Sequence, residues 1–499
     1  MKKLYLTTAL TLIASPTLAD ITPEELWQSW QDTYSHFGTG LSAGSQSREG
    51  AVLVLQDVST TINLGIFEIE QVISEMQLEA LGDGTVSVTF DSNLTGTLTF
   101  TLEDAPSQSA TMTGHIEGTS GIVTGSANDF VYELAIGQIQ MGTTITMGTE
   151  DSFQSTTTSN AITTGFNGRI HYSTSNVGMN LSYSFTLDGV NNTQDSVNTV
   201  GGEAGGFKQS QRTLAEGYSG EITLFMPTPN PEAASGSLIP EGFTMDVQLG
   251  IEHMNISQKT ASPYFNMDME MDQQDMGISL TVDGQNIGLA TSGQETSVTV
   301  AMPQLGPQPY RTDFENTAFA FSVPYRVSDA PQMSSLALRL GRVTVSDNIW
   351  ALADPENTLS RAPADFAIAA DFSSTLLLDW TNIEAVKAWE GAPALLHKIT
   401  LETFLVAFEN AKLEGAGAVD FSNETEVPMP SGGALSFSLT GIPALLEKLG
   451  GLPLVDPSII AQANGVLGIF TKENDSGARV SDIEFGPEGQ VFVNGLQLQ

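Results

Sequence analysis

The spacing of apolar residues changes once, near the start of the chain. Trp27, Trp30, Tyr34 and Phe37 recur at intervals of three or four, which places them on one face of a helix. Thr22 stands as N-cap, with Pro23 at the first helical position and Glu25 at the third. That arrangement predicts a capping box at the first turn, and Gly38 predicts the helix end. The aromatic stripe could in principle stack on sugar or lie at a membrane interface. Periodic aromatics on a helix ordinarily mark its packed side, so it reads as a face docked on a sheet.

From about Ala51 the period falls to two. Val86, Val88 and Phe90 alternate with Ser87 and Thr89, and Leu94, Leu98, Phe100 and Leu102 continue the pattern. Similar runs occupy 116–123, 130–141, 170–187, 221–225, 243–256, 278–282, 296–301, 314–323, 336–345, 366–378 and 416–421. Alternation of this kind marks half-buried strand. The Asp-Gly sites at Asp83-Gly84, Asp188-Gly189 and Asp283-Gly284 read as turns. The predicted fold class is therefore mainly β: long, curved antiparallel sheets with a few short helices, the N-terminal and C-terminal helices packing on the sheet. Candidate helices are the region 384–389, then 442–449 and 457–467, the last with Asp456 as N-cap and Pro457 at N1.

Punctuation divides the chain further. Pro227, Pro229, Pro231 and Pro240 among small residues read as a linker or crossover over 227–242. Polar breaks follow at 354–363 and 428–433. The expected organisation is a leader over 1–19, a helix and loop over 20–50, a first β region over 51–226, the linker, a second β region over 243–427, and a mixed segment over 428–499. Lys2 and Lys3, the apolar run Leu4 to Ala14 and the small residues before Asp20 form a signal peptide, with cleavage expected after Ala19 and a periplasmic destination. No later segment approaches the roughly 20 uninterrupted apolar residues that a spanning helix needs.

Charge narrows the partners. Eighteen Lys and Arg against 58 Asp and Glu give a net charge of −40, so no basic stripe exists to neutralise nucleic-acid phosphates. There is no Cys, which removes disulfides and thiolate chemistry. The five His form no pair at helical ligand spacing. Gly40, Ser42 and Gly44 match the letters of a nucleophile elbow, but that motif needs a strand before and a helix after it. Here a helix precedes, and a flexible polar loop is expected. No cofactor is implied.

One segment offers ligands by spacing. As a strand, Asn266 to Met276 places Met267, Met269 and Met271 on one face and Asp268, Glu270 and Asp272 on the other. Three readings stand: an ordinary amphipathic strand with Met as core filler, Cu(I) bound by the thioethers, or Ca²⁺ bound by the carboxylate row. Alternation alone accounts for the pattern, while Gln273 stands where an EF-type loop needs glycine.

Phe319 to Pro324, Ser346 to Leu352 with Asp354, Pro355, Leu359 and Pro363, Gly441 to Leu446, and Gly489 to Gly495 resemble an exported alphaproteobacterial family called domain of unknown function 2125. The resemblance implies a secreted or periplasmic protein, carries no catalytic residue across, and rests on packing and turn residues with no charged constellation. More loosely, the closing strand-helix-strand is similar to AsmA-like envelope proteins, whose long curved sheets cradle lipid. The expected function is a non-enzymatic envelope protein binding a lipid or a protein partner on an apolar groove. The alternative is a secreted hydrolase using a pair of acids, whose separation only a structure can give.

Overall fold

Alternating strands of this number need partners for their backbone groups, and here they find them in one another. The computed structural model describes residues 21–36, 39–63, 67–100, 108–148, 153–200, 206–228, 237–425, 427–474 and 478–498. The expected leader and its cleavage site lie outside these residues, as does the predicted helix end at Phe37 and Gly38. Helix α1 (Pro23–His36) precedes β1 (Gly40–Glu49), β2 (Val52–Asn63), β3 (Phe67–Ala80), β4 (Val86–Phe90), β5 (Asn93–Phe100), β6 (Gln108–Ser126), β7 (Asp129–Gly148), β8 (Phe153–Ser175) and β9 (Gly178–Val200). Then come β10 (Lys208–Pro227), β11 (Thr244–Ala261), β12 (Asn266–Val282), β13 (Asn286–Ala301), β14 (Tyr310–Pro324), β15 (Gln332–Val345), α2 (Asp347–Ala353), β16 (Ala364–Leu376) and α3 (Ile383–Ala388). The chain closes with β17 (Ala394–Phe408), β18 (Ala411–Ser422), β19 (Met429–Thr440), α4 (Ile442–Leu449), α5 (Pro457–Phe470), β20 (Lys472–Glu473), β21 (Arg479–Phe485), β22 (Val491–Val493) and β23 (Leu496–Gln497).

All 23 strands among the described residues join one sheet, and every pairing is antiparallel. Successive strands are neighbours from β6 to β19, so the body is a meander. The Pro-rich stretch does not interrupt it: Phe225 of β10 pairs with Thr244 of β11, and the stretch lies between neighbours of one sheet. Residues 40–49, predicted as loop, are strand β1, in which Ser42 Oγ lies 2.9 Å from Ser59 Oγ. The break predicted at 428–433 falls largely within β19, where Pro430 pairs opposite Phe421.

A line of left-handed residues crosses the sheet. Asp57, Gly118, Gly165, Gly217, Asp275, Glu295 and Arg342 all have φ between +45° and +68°. Register places them in one row: pairing is interrupted at Gly118 opposite Gly137, at Gly165 opposite Asp188, and at Gly217 opposite Glu252. Asp91 and Ser92, which separate β4 from β5, fall on the same line. Such bulges bend the strands they interrupt. Ile136, Ala215, Ile251, Met254, Gln273 and Thr296, which flank the line on one face, are all buried, so the sheet folds toward that face along a crease. The Asp188-Gly189 dipeptide, predicted as a hairpin turn, sits in the middle of β9 on this crease. The residues suited to a turn with positive φ also suit a bulge.

One face stays apolar from β7 to β21, while the other is polar from β7 to β12 and continues as Ala290, Ala320, Ala337 and Ala369. Tyr132, Ile170, Tyr183, Ile222, Val247, Leu280, Leu289, Phe321, Leu336, Ala370, Leu401, Gly417, Leu435 and Ile483 are cross-strand neighbours from β7 to β21. At the usual strand spacing this row is about 60 Å long. On the opposite face the matching row begins Glu133, Arg169, Ser184, Glu221, Gln248 and Ser279. Face-to-face packing against a second sheet would bury the apolar row. Instead most of it is half-buried, and Leu336 is 39% exposed.

The main core lies where α1 covers this apolar face. Leu26 and Trp27 pack with Leu55, Val58, Leu78, Val86, Val88, Val123, Phe130, Tyr132, Tyr172 and Met179. The predicted capping box is present: the Thr22 amide donates to Glu25 Oε2 at 3.0 Å, and the Glu25 amide donates to Thr22 Oγ1 at 3.2 Å. Ser29 Oγ donates to the Ala127 carbonyl at 2.8 Å and Gln31 Nε2 to the Leu41 carbonyl at 3.2 Å. These bonds fix the helix to the β6–β7 turn and to the edge strand.

A second anchor holds the C-terminal half. The Asp354 side chain, fully buried, accepts hydrogen bonds from the amides of Thr358 (2.8 Å) and Leu359 (2.9 Å) and from Arg361 Nη1 (2.9 Å). The Arg361 guanidinium lies 4.5 Å from the centre of the Trp350 ring, which stacks on Phe408. Burial pushes the Asp354 carboxyl up, but the Leu359 and Thr358 amides and Arg361 outweigh it and hold the group below its ordinary value of 3.8. A depressed carboxylate stabilises the fold above the unfolded pKa and loses that contribution as pH falls through the folded one. Acidification below 3.8 is therefore expected to loosen residues 354–361. Asp354→Asn, whose amide nitrogen would face a backbone donor, should lower the thermal midpoint by several degrees at pH 7 and remove this part of the acid sensitivity. Melting curves at pH 7 and pH 3 check both.

Candidate functional site: a cavity beneath the N-terminal helix

The docked helix does not fill the space it covers. Between α1 and the apolar face lies a cavity of about 600 Å³, lined by Trp27, Trp30 and Tyr34 from the helix and by Val58, Ile73, Leu94, Tyr132, Ile170 and Leu181 from the sheet. The volume lies within the range of small-molecule sites, about 300–1,000 Å³. The helix presents its aromatics here because the stripe is wider than one contact line. Trp27 is buried in the core, Trp30 lies 5.8 Å from Tyr132 ring to ring, and Tyr34 at the far end is 36% exposed.

The wall chemistry is one-sided. Among the described residues no carboxylate, Lys, Arg or His lines the cavity; its polar members are Thr33, Thr39, Thr60 and Gln71, besides the tyrosine hydroxyls and Trp indoles. Burial pushes the Tyr132 phenol far up, so it remains neutral. Trp27 Nε1 is buried without an acceptor among the described residues, whereas a buried indole N–H usually finds one. The site therefore offers a large, mostly apolar wall. It suits a hydrocarbon chain.

The candidates singled out by spacing lie elsewhere. Met267, Met269 and Met271 are half-buried on the apolar face of β12, and Met271 packs against the buried cluster of Ala215, Ile251 and Met254. Asp268, Glu270 and Asp272 point to the other face, as alternation requires. Asp272 Oδ2 lies 2.9 Å from His253 Nε2 and accepts from Asn255 Nδ2 at 3.2 Å, and Asn255 also donates to Glu270 at 3.2 Å. The hydrogen bond to His253 is the main reason the Asp272 carboxyl is lowered. Glu270 and Asp272 are thus engaged in pairing β12 with β11. Among the described residues no group of three or more His, Cys, Asp or Glu is arranged to hold a metal ion.

Among the described residues, the carboxyls that depart clearly from ordinary behaviour, at Asp83, Asp272, Asp354, Glu409 and Asp456, are lowered, while a general acid needs one raised. An open depression of about 860 Å³ on the polar face is lined by Glu133, Arg169 and Glu221, but Glu133 is ion-paired with Arg169. Sequence patterning located the aromatic stripe and its docking but not the space beneath it. The sheet residues that complete the cavity come from β1, β2, β3, β4, β5, β7, β8 and β9 and converge only in the fold. No helix among the described residues is long and apolar enough to cross a membrane. No family model matches the chain, and no curated protein matches it.

Proposed function

We propose that the protein is a non-enzymatic carrier of an acyl chain, acting in the periplasm after export, which holds the chain beneath α1 and along the adjoining apolar face. The observation that carries this reading is the uncharged, mostly apolar cavity beneath α1. The half-buried row from Ile170 onward continues the same chemistry across the sheet. Large uncovered apolar surfaces in soluble proteins mark binding sites. The similarity to AsmA-like envelope proteins points the same way. The hydrolase alternative has neither a raised carboxyl nor a carboxylate in this cavity to recommend it.

Filling the cavity tests the reading. Ile170 lines it, is half-buried and packs against the main core, so Ile170→Trp would occupy the space a ligand needs, and unchanged protection of the α1 amides is the check that the core is kept. The variant should retain less than about a tenth of the amphiphile that co-purifies with the unaltered protein, which corresponds to a loss of at least 1.4 kcal/mol in binding. Quantitative lipid extraction from both proteins decides the matter. Equal amounts from the two would place the ligand elsewhere.

A further inference from the structure

The walls of the cavity beneath α1 are polar at one end. Thr33 and Tyr34 of α1 line that end. Thr39 is tied to them, because the Tyr34 carbonyl accepts from the Thr39 amide at 3.0 Å and from its hydroxyl at 2.7 Å. Two residues further on, Leu41 of β1 pairs opposite Thr60 of β2, and Thr60 pairs opposite Gln71 of β3. Directly opposed residues in antiparallel strands hold their Cβ atoms about 4.5–5.5 Å apart, so the hydroxyl and the carboxamide lie side by side. The other end, formed by Trp27, Val88, Phe130, Tyr172 and Leu181, is aromatic and aliphatic, with polar atoms only on its rings.

Thr60 and Gln71 are half-buried, and neither side chain has a hydrogen-bond partner among the described residues. Thr33 differs, since its Oγ1 donates to the Ser29 carbonyl at 2.7 Å. A hydroxyl and a carboxamide each donate and accept, and covering them without replacing their bonds to water is costly. A bare hydrocarbon leaves both unsatisfied. A carboxylate or a phosphate diester only accepts, whereas a head bearing hydroxyls and an ester or amide carbonyl answers both needs.

Charge separates these heads further. Residues 21–100 hold eleven Asp and Glu and a single Lys or Arg, Arg48, which is paired with Glu24. Asp32 and Glu70 adjoin Thr33 and Gln71 in the chain. Arg169, beside Ile170, alternates to the opposite face and pairs with Glu133. An anionic head in this cavity would thus be desolvated without a counter-charge and repelled by the acids around it. We propose that the cavity selects an acyl chain with an uncharged, hydrogen-bonding head, of which a monoacylglycerol is the simplest form. The head lies against Thr60 and Gln71, and the hydrocarbon runs toward Trp27 and Phe130. This assignment rests on the carrier reading above and adds to it the class of head and the direction of the chain.

The test compares two ligands with one chain, decanoylglycerol and decanoate, titrated by calorimetry at pH 8 into full-length protein stripped of bound amphiphile. Decanoate is ionised at this pH, far above the carboxylate range. Decanoylglycerol should bind at least tenfold more tightly. The double variant Thr60→Val/Gln71→Leu should weaken decanoylglycerol about tenfold and leave decanoate within twofold, while Gln71→Lys, which supplies a counter-charge, should reverse the order of the two ligands. The comparison on the unaltered protein stands even where a variant fails to fold. Decanoate binding as tightly as decanoylglycerol overturns the assignment and leaves the carrier reading in place, as does an unaltered preference in folded Gln71→Lys. If neither ligand binds, the carrier reading itself falls, and this assignment with it.

Discussion

Truncating Trp27 to alanine is expected to release α1 from the sheet. Trp27 is 3% exposed and sits among Leu55, Val58, Val88 and Phe130 in the largest buried cluster. Removing a buried indole costs about 3–5 kcal/mol, and the existing cavity leaves the neighbours little reason to close over the gap. The remaining ties of the helix are Leu26 in the same core, Trp30 against Tyr132, the Ser29 and Gln31 hydrogen bonds and the Arg48–Glu24 pair. Such a pair, exposed on both sides, contributes little. A long open sheet does not unfold as one unit, so the readout is local. Amide exchange across 23–36 should accelerate by two orders of magnitude or more, while exchange in β14 to β18 stays as it was. Unchanged protection of the helix would show that its docking rests on something other than Trp27.

The second large effect is expected at the crease. Gly217 has φ of +65°, and a Cβ there would run into the Glu252 side chain on β11. Gly217→Val places a β-branched residue in a left-handed conformation, a strain of about 1–3 kcal/mol, and adds the clash. The variant should lose that much stability in β8 to β12 and expose Ala215, Ile251 and Met254, the cluster beneath the bend. Two companions separate the causes. Gly217→Asn, which tolerates the left-handed region, should be clearly less damaging, and Glu252→Ala added to Gly217→Val should restore only the steric part. Equal stability of the Val and Asn variants would contradict the account of the crease.

How far the sequence disclosed this arrangement depends on which interaction fixes each part. The capping box at Thr22 and Glu25 and the Asp456 cap are local, so they could be read directly and they stand as predicted. The mainly β class followed from alternation, which reports on each strand separately. Strand β1, built from Gly, Ser and Ala with Gln56, Val58 and Ser59 supplying its partners, carries no alternation to read. β19 begins with Met429, Pro430 and Ser431 and is held in place by β18 and β21. The crease escaped because Asp188-Gly189 has the same signature as Asp283-Gly284, which does form a turn. Only the presence of a pairing partner on both sides distinguishes them. Asp354 also went unrecognised as a charged centre, because its partners lie within seven residues in a loop whose shape the carboxylate itself creates.

The cavity was illegible for a related reason. Its helix wall could be seen as a stripe, but the eight strands that form the other wall are brought together by sheet pairing and not by any spacing in the chain. A count of aromatic residues cannot distinguish a helix packed tightly on a sheet from one that leaves about 600 Å³ beneath it.

The most direct measurement is to purify the protein gently from its own cells, extract it with organic solvent and identify what is released by mass spectrometry. An acyl-chain amphiphile in about equimolar amount, absent from the Ile170→Trp variant, is the result predicted. An empty extract from a folded protein whose α1 amides remain protected would contradict the carrier reading.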